Sequence, residues 1–537
     1  MPTVRCGVLV GVMLVTGSGT ATAQPHTHPQ PARAEKLGTV HFQTSCRPAV
    51  APQFDRAVAL LHSFEFGASI QAFTSVLAAD PACAMAHWGI ALSRWTNPMA
   101  AGNRTLEQLQ AGRAAANAAM RASAQATNRE RGYIDAVAQL YADYEHVPQP
   151  TRVAAYTRAM ANLVARQPAD TEAKIFYAIA LTASAPPTDT TYANQLEAGA
   201  ILEALWAKLP NHPGLAHYII HTYDQPRLAG RAIAAARRYS QIAPSAAHAL
   251  HMPSHTFTRA GLWEESAEAN RRSIAQALRD GSIAEALHAS DYAEYADLQM
   301  RRISAAKALL NRLPALAARF DVNAVTGAAP GSAGVFALAA IPARYALERR
   351  DWPQAARLVP VTSAFPWTEA MVYFARALGA SHTGDLATGH ASIDSLAAIQ
   401  QRLRANGESY WAEQVGIQAM GAEAWLNHAE HREDAALARM REAAAREDAT
   451  DKSSVTPGPL APARELLGDM LMELHRPGDA LAEYRAALPK EPNRYHTVDG
   501  ARRAAAAIGD RVAEAGYAAQ LKQITGLRSA ARAAPAS

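Results

Sequence analysis

The stretch "ARELLGDMLMELHRPGDALAEYRAALPKEP", Ala463 to Pro492, decides how the rest of the chain is read. Leu467 and Gly468 stand where a first helix would cross a second at close range, with Leu471 one turn further on. Ala480, Tyr484 and Ala487 follow at helical spacing, and Pro492 closes the unit. Small residues let two helices approach, and a proline stops the second helix before another unit begins.

The same frame recurs upstream. Pro210 and Pro244 are 34 residues apart, and two units can be laid from Pro213 to Ala246 and from Ala247 to Asp280. Near the start, "ALLHSFEFGASIQAFTSVLAADPACAMAHWGIALSRW" supplies Phe73 and Pro81 in the corresponding places, and Pro168 closes a further unit. Residue by residue, Ala463 to Pro492 resembles a tetratricopeptide repeat (TPR), a helix-turn-helix unit with a period of about 34 residues. The resemblance implies an all-α solenoid, a superhelix of about ten to twelve TPR-like helical hairpins in which each repeat buries its faces against its neighbours. Phrases such as "DPACAMAHWGIALS" and "HPGLAHYIIHTYDQP" resemble exported bacterial TPR proteins, which implies a fold and no particular reaction. One solenoid segment is expected over residues 46–324 and a second over 335–530, with "VTGAAPGSAG", Val325 to Gly334, as the linker or hinge.

Composition narrows the function classes. Across 537 residues, 52 basic residues nearly balance 48 acidic ones, and no Lys/Arg block forms a phosphate-tracking stripe, so nucleic acid is not the expected partner. The opening "MPTVRCGVLVGVMLVTGSGTATAQ" has a basic start, an apolar core and an A-x-A site at Ala21–Ala23. That pattern is a secretory signal peptide over residues 1–23, and it places the mature chain in the periplasm or outside the cell. No other segment offers the roughly 20 apolar residues of a membrane span, so no integral membrane segment is expected after processing. Residues 24–45 begin "QPHTHPQP" and read as a Pro-rich disordered segment. A copper site at that amine end fails because Pro25 has no amide proton to lose.

Export leaves Cys46 and Cys83 as the only thiols. In an oxidising compartment such a pair is expected to form a disulfide, stabilising by about 4 kcal/mol, the alternative being two buried free thiols.

The chemistry is carried by "HALHMPSHTFTRAGLW", His248 to Trp263, with three histidines and a proline in eight positions. In TPR proteins the first helix of each repeat lines the concave groove, and the resemblance places His248, His251, His255 and Arg259 there. One repeat earlier it places His217, His221 and Asp224. Spacing alone agrees. His217 and His221 are i, i+4, while His248, His251 and His255 run i, i+3, i+7, each set on one helical face. Helices pack about 8–10 Å apart, so His217, His221, His251 and His255 can meet at one cation with bonds of about 2.0 Å. Copper or zinc suits such imidazole ligation best, iron less well. His288, Tyr292 and His62 join His248, Asp224 and Arg259 as groove ligands; Arg259 could instead pair with Glu264 or Glu265. Pro253 leaves two backbone paths open. The helix kinks there, or it starts near Met252 and leaves His248 and His251 on the entering loop.

No nucleophile elbow, P-loop, Rossmann glycine pattern, HExxH or CxxCH motif is present. Two functions remain. One is an exported scaffold whose His-lined groove binds a peptide, protein or small molecule. The other is a metal-dependent enzyme with copper, zinc or iron in that groove.

Overall fold

A computed structural model describes residues 35–100, 103–186, 189, 191–453 and 456–526. The signal peptide, its cleavage site and the "HTH" of the Pro-rich tail lie outside the described residues. Every regular element among the described residues is helical, and consecutive helices pair into twelve hairpins. Ala51–His62 with Phe66–Ala79 begins the series, and Tyr495–Ala507 with Arg511–Ile524 ends it. The chain is a TPR-like α-solenoid.

Local chemistry sets the helix boundaries. Thr105 and Thr127 each form a capping box with the residue three places on, Gln108 and Glu130, so two orphan amide protons are satisfied at each start. Pro213, Pro253, Pro366 and Pro477 occupy first-turn positions, where a missing N–H costs nothing. Within hairpins the close crossings are made by glycine against an aromatic ring. A Cβ placed on Gly468 would lie 2.7 Å from the Tyr484 ring, and one on Gly500 would lie 2.4 Å from the same ring. Tyr484 is therefore packed against two glycines, and its hydroxyl donates to Asp469 at 2.7 Å.

Two expected boundaries differ in the structure. Residues 36–45 are extended but ordered, which corrects the expectation of disorder for that part of 24–45. Lys36 N–H donates to Ser245 Oγ at 2.8 Å, Thr39 N–H donates to the Asn211 carbonyl at 3.0 Å, and Phe42 is buried among Phe54, Trp88 and Tyr133. An aromatic anchor outweighs the polar composition of its flanks. Val325–Gly334, expected as a linker or hinge, is packed and hydrogen-bonded to its neighbours. Gly67 N–H donates to the Thr326 carbonyl at 3.0 Å, Ala329 N–H donates to Glu285 Oε2 at 2.9 Å, and Ala328 and Ala329 are buried. The described residues from Lys36 onward form one unit, without a division at that segment.

Late repeats dock back on the middle of the chain. Trp263 Nε1 donates to the Asn493 carbonyl at 2.7 Å, and Asn493 Nδ2 returns a bond to the Gly261 carbonyl at 3.1 Å. Gly261 has φ +65°, and a Cβ there would sit 2.4 Å from the Pro492 carbonyl, so the contact requires glycine. Lys452 and Thr456 reach the same region, at Asp224 (3.6 Å) and Tyr292 (3.1 Å). The groove expected to lie open is therefore covered. Cys46 and Cys83 are joined as a disulfide, with Cα atoms 4.9 Å apart. No helix among the described residues is long and apolar enough to cross a membrane.

Replacing Gly468 by alanine should lower the thermal midpoint, at a cost of about 1–3 kcal/mol from overpacking against Tyr484. An unchanged midpoint in calorimetry would show that this crossing has slack.

Candidate metal centre

Four first helices bring the histidines together. Pro213–Thr222 carries His217 and His221; Ala247–His251 and Pro253–Arg259 carry His248, His251 and His255; Ile283–Gln299 carries His288; Ala51–His62 ends at His62. At Pro253 the backbone kinks without leaving helical space. Met252, at φ −51° and ψ −36°, donates to the His248 carbonyl at 2.8 Å and accepts from His255 N–H at 3.1 Å. His248 and His251 are thus helical residues, not loop residues.

The rings form two trios. Nitrogens of His217, His221 and His248 lie within 4.8 Å of one another, and those of His251, His255 and His288 do the same. This differs from the expected quartet. His248 joins His217 and His221, with His217 centred 4.8 Å from His221 and 4.9 Å from His248. His288 joins His251, their centroids 4.5 Å apart. His248 meets the rings of the preceding repeat, whereas His251 and His255 meet His288 of the following one.

In the first trio the Nε2 atoms of His217, His221 and His248 are all buried without a hydrogen-bond partner. Their orientation is held from behind. His217 Nδ1 donates to the His62 carbonyl at 2.6 Å, and His248 Nδ1 donates to Glu285 Oε1 at 3.1 Å. With the proton on Nδ1, the Nε2 lone pair of each ring faces inward. Carbonyl and carboxylate partners of this kind fix ligand rings in metal sites. His62 reaches this position because its helix stops at once: Phe64 turns at φ 56°, and its ring lies edge-on to His217 at 4.4 Å. His62 itself is hydrogen-bonded through its ring, to Glu172 at 2.9 Å and Tyr218 at 3.1 Å. It positions a trio member and offers that trio no ring nitrogen.

In the second trio His251 Nδ1 faces Asn270 Oδ1 at 2.6 Å and His255 Nδ1 faces Asp224 Oδ2 at 2.9 Å, while the two Nε2 atoms are 3.0 Å apart. Tyr292 stacks on His255 at 4.7 Å. Asp224 also accepts from Arg259 Nε at 3.1 Å. Arg259 therefore pairs with Asp224, not with Glu264 or Glu265, whose partners are Arg302 and Arg237. Asp224, Arg259 and Tyr292 orient the second trio from outside it. Asn270 and Lys452 act on the second trio in the same way, and Glu285 and Glu65 hold His248 of the first; none of the four is legible in the sequence. Their partners lie 19 to 228 positions away along the chain (Asn270 to His251, Lys452 to Asp224).

Burial lowers the pKa of all six rings, and the neighbouring imidazoles lower most of them further. His221, His248 and His251 fall to about 3 and His255 to about 4, while His217 and His288 lie well below the usual value. Beside them, burial raises Glu65 to about 8, with the Glu285 carboxylate adding to the shift. Uncharged imidazole is the form that ligates a metal ion. A cleft with room for little more than a water molecule opens between the trios, lined by His221 and His248 from one and His255 and His288 from the other.

No known family model matches this sequence, and no curated protein is detectably similar to it. Several solved structures align with most of this chain at low scores. A human IFIT1 dimer with m7Gppp-AAAA is 10% identical, with 82% of this chain and 90% of that one covered at a TM-score of 0.36. The APC/C hetero-tetramer Cut9–Hcn1 is 10% identical (85% and 76% covered, TM-score 0.35), and yeast Tom70 is 9% identical (86% and 89%, TM-score 0.28). At these scores the likeness says nothing about ligand or activity.

In metal-stripped protein, His251 should make stability pH-dependent. Its folded value is about 3 against an ordinary 6.5, so below 6.5 the unfolded chain takes a proton that the folded site refuses. Stability from this group is intact above pH 6.5 and falls as the pH drops, by about 1 kcal/mol per pH unit. Between about pH 7.5 and 5.5 the wild-type protein should lose about 1 kcal/mol relative to His251→Gln in denaturant titrations. A constant difference would place His251 at its ordinary pKa.

Proposed function

We propose that this TPR-like scaffold is an exported metalloprotein, holding a copper or zinc ion on Nε2 of His217, His221 and His248. One observation carries the reading: three buried imidazoles bring ring nitrogens within 4.8 Å of one another, and each has an Nε2 with no hydrogen-bond partner. An unsatisfied buried polar atom costs about 1–3 kcal/mol, and a shared cation removes that cost at all three. Side-chain rotation by about an ångström closes their separations to those that bonds of about 2.0–2.1 Å require. Three protein ligands leave a further coordination position, the arrangement of metal sites that bind or activate a small molecule rather than closed structural sites. Two of the three rings, His221 and His248, line the cleft.

The covered groove favours a small ligand over a peptide at the histidines, since all six rings are buried. Export is supported by the leader and by the Cys46–Cys83 disulfide, which suits an oxidising compartment.

Untagged protein purified from the exported fraction should contain copper or zinc by elemental analysis, and His217→Gln/His221→Gln should lose the ion of this trio. Glu285→Gln should weaken binding about 10- to 100-fold, the usual cost of losing a carboxylate behind a ligating histidine. Protein that refuses micromolar Cu(II) and Zn(II), or a double variant that keeps its full complement, would overturn the proposal.

A further inference from the structure

The second trio poses a separate electrostatic problem. Asn270 Nδ2 donates to the Ser266 carbonyl at 2.7 Å, which fixes its Oδ1 toward His251. An oxygen acceptor there requires the His251 proton on Nδ1. The Asp224 carboxylate requires the same of His255, and the Tyr292 hydroxyl, 3.4 Å away, is committed as a donor to the Thr456 carbonyl. In both neutral rings the Nε2 atoms then carry lone pairs, and they point at one another across 3.0 Å. Two acceptors hold that distance only with a cation between or beside them. His288 supplies a third ligand from the next repeat, its Nδ1 buried and unpartnered.

Resting on the metal reading above, we propose that His251, His255 and His288 bind a second transition-metal ion, so that the protein houses a dinuclear centre of two three-histidine halves. With metal–nitrogen bonds of about 2.0–2.1 Å, nitrogens 3.0 Å apart subtend roughly 95° at the ion, the angle of a cis pair. The halves adjoin: His248 is centred 5.9 Å from His251, and His221 is 6.3 Å from His255. Rings from both halves line the one cleft. Paired ions in such sites stand about 3.5–4 Å apart and act together on one bound oxygen ligand. The cleft fits an oxygen-donor ligand no larger than water. Helix kinking at Pro253 has a role in this arrangement, because it separates His251 from His255 by a deformed turn and lets their Nε2 atoms converge.

The test loads metal-free, full-length mature protein with Cu(II), removes excess ion and measures copper per chain together with the paramagnetic resonance signal. Two coppers are expected, with a signal well below that of two isolated ions because adjacent spins couple. His288→Gln should hold one copper and show the full signal of a single ion. One copper in the wild-type protein, lost in His221→Gln and kept in His288→Gln, would overturn the second ion and leave the first. A pair of Nε2 atoms held by a shared proton gives that result. Two coppers with undiminished signal would overturn the dinuclear arrangement. Copper absent from the wild-type protein would overturn both proposals. Should His288→Gln fail to fold by circular dichroism, wild-type stoichiometry and signal decide the matter alone.

Discussion

Uncompensated nitrogen lone pairs buried between helices are the constraint around which the middle of this molecule is arranged. Six imidazoles occupy the first helices of three neighbouring repeats, all out of water and all depressed in pKa by burial. Their outer nitrogens are anchored where partners are seen, by a backbone carbonyl from His62, by Glu285, by Asn270 and by Asp224. The anchoring fixes tautomers and leaves inner nitrogens facing each other. Without a cation that arrangement is a net cost to folding, and with one it is a preorganised ligand set.

The rest of the solenoid maintains this interior. Val325–Gly334 lies across it, tied to Gly67 and Glu285, and the segment around Lys452 and Thr456 reaches it from the late repeats. Contacts from Trp263 and Gly261 to Asn493 hold those late repeats in place. A helical stack that could have presented an open groove is instead folded over its own histidines. The space left at the histidines is thereby reduced to a cleft with room for little more than a water molecule.

Much of the fold was legible in the sequence, because its signals are local. Pro213 and Ala247 open hairpins as their spacing implied, and Gly468 meets Tyr484 at the crossing expected of it. Membership of the histidine cluster was also legible, since i, i+4 and i, i+7 spacing keeps a face whatever the tertiary context. The partition into trios was not. It depends on the kink at Pro253 and on which neighbouring helix each ring meets, and neither is encoded in spacing along one helix. Glu285 and Asn270 were invisible for a related reason: they act on rings in other helices, and their own surroundings in sequence look like ordinary helix. The packed extended segment at Phe42 was not legible because one aromatic residue, not the composition around it, decides its order.

X-ray absorption at the metal edge of copper- or zinc-loaded protein tests the central claim most directly. The account predicts a first shell dominated by imidazole nitrogen at about 2.0 Å, with the outer-ring scattering of histidine, lost in part when His217 and His221 are replaced. A shell of oxygen alone, or a spectrum unchanged by those replacements, would contradict it.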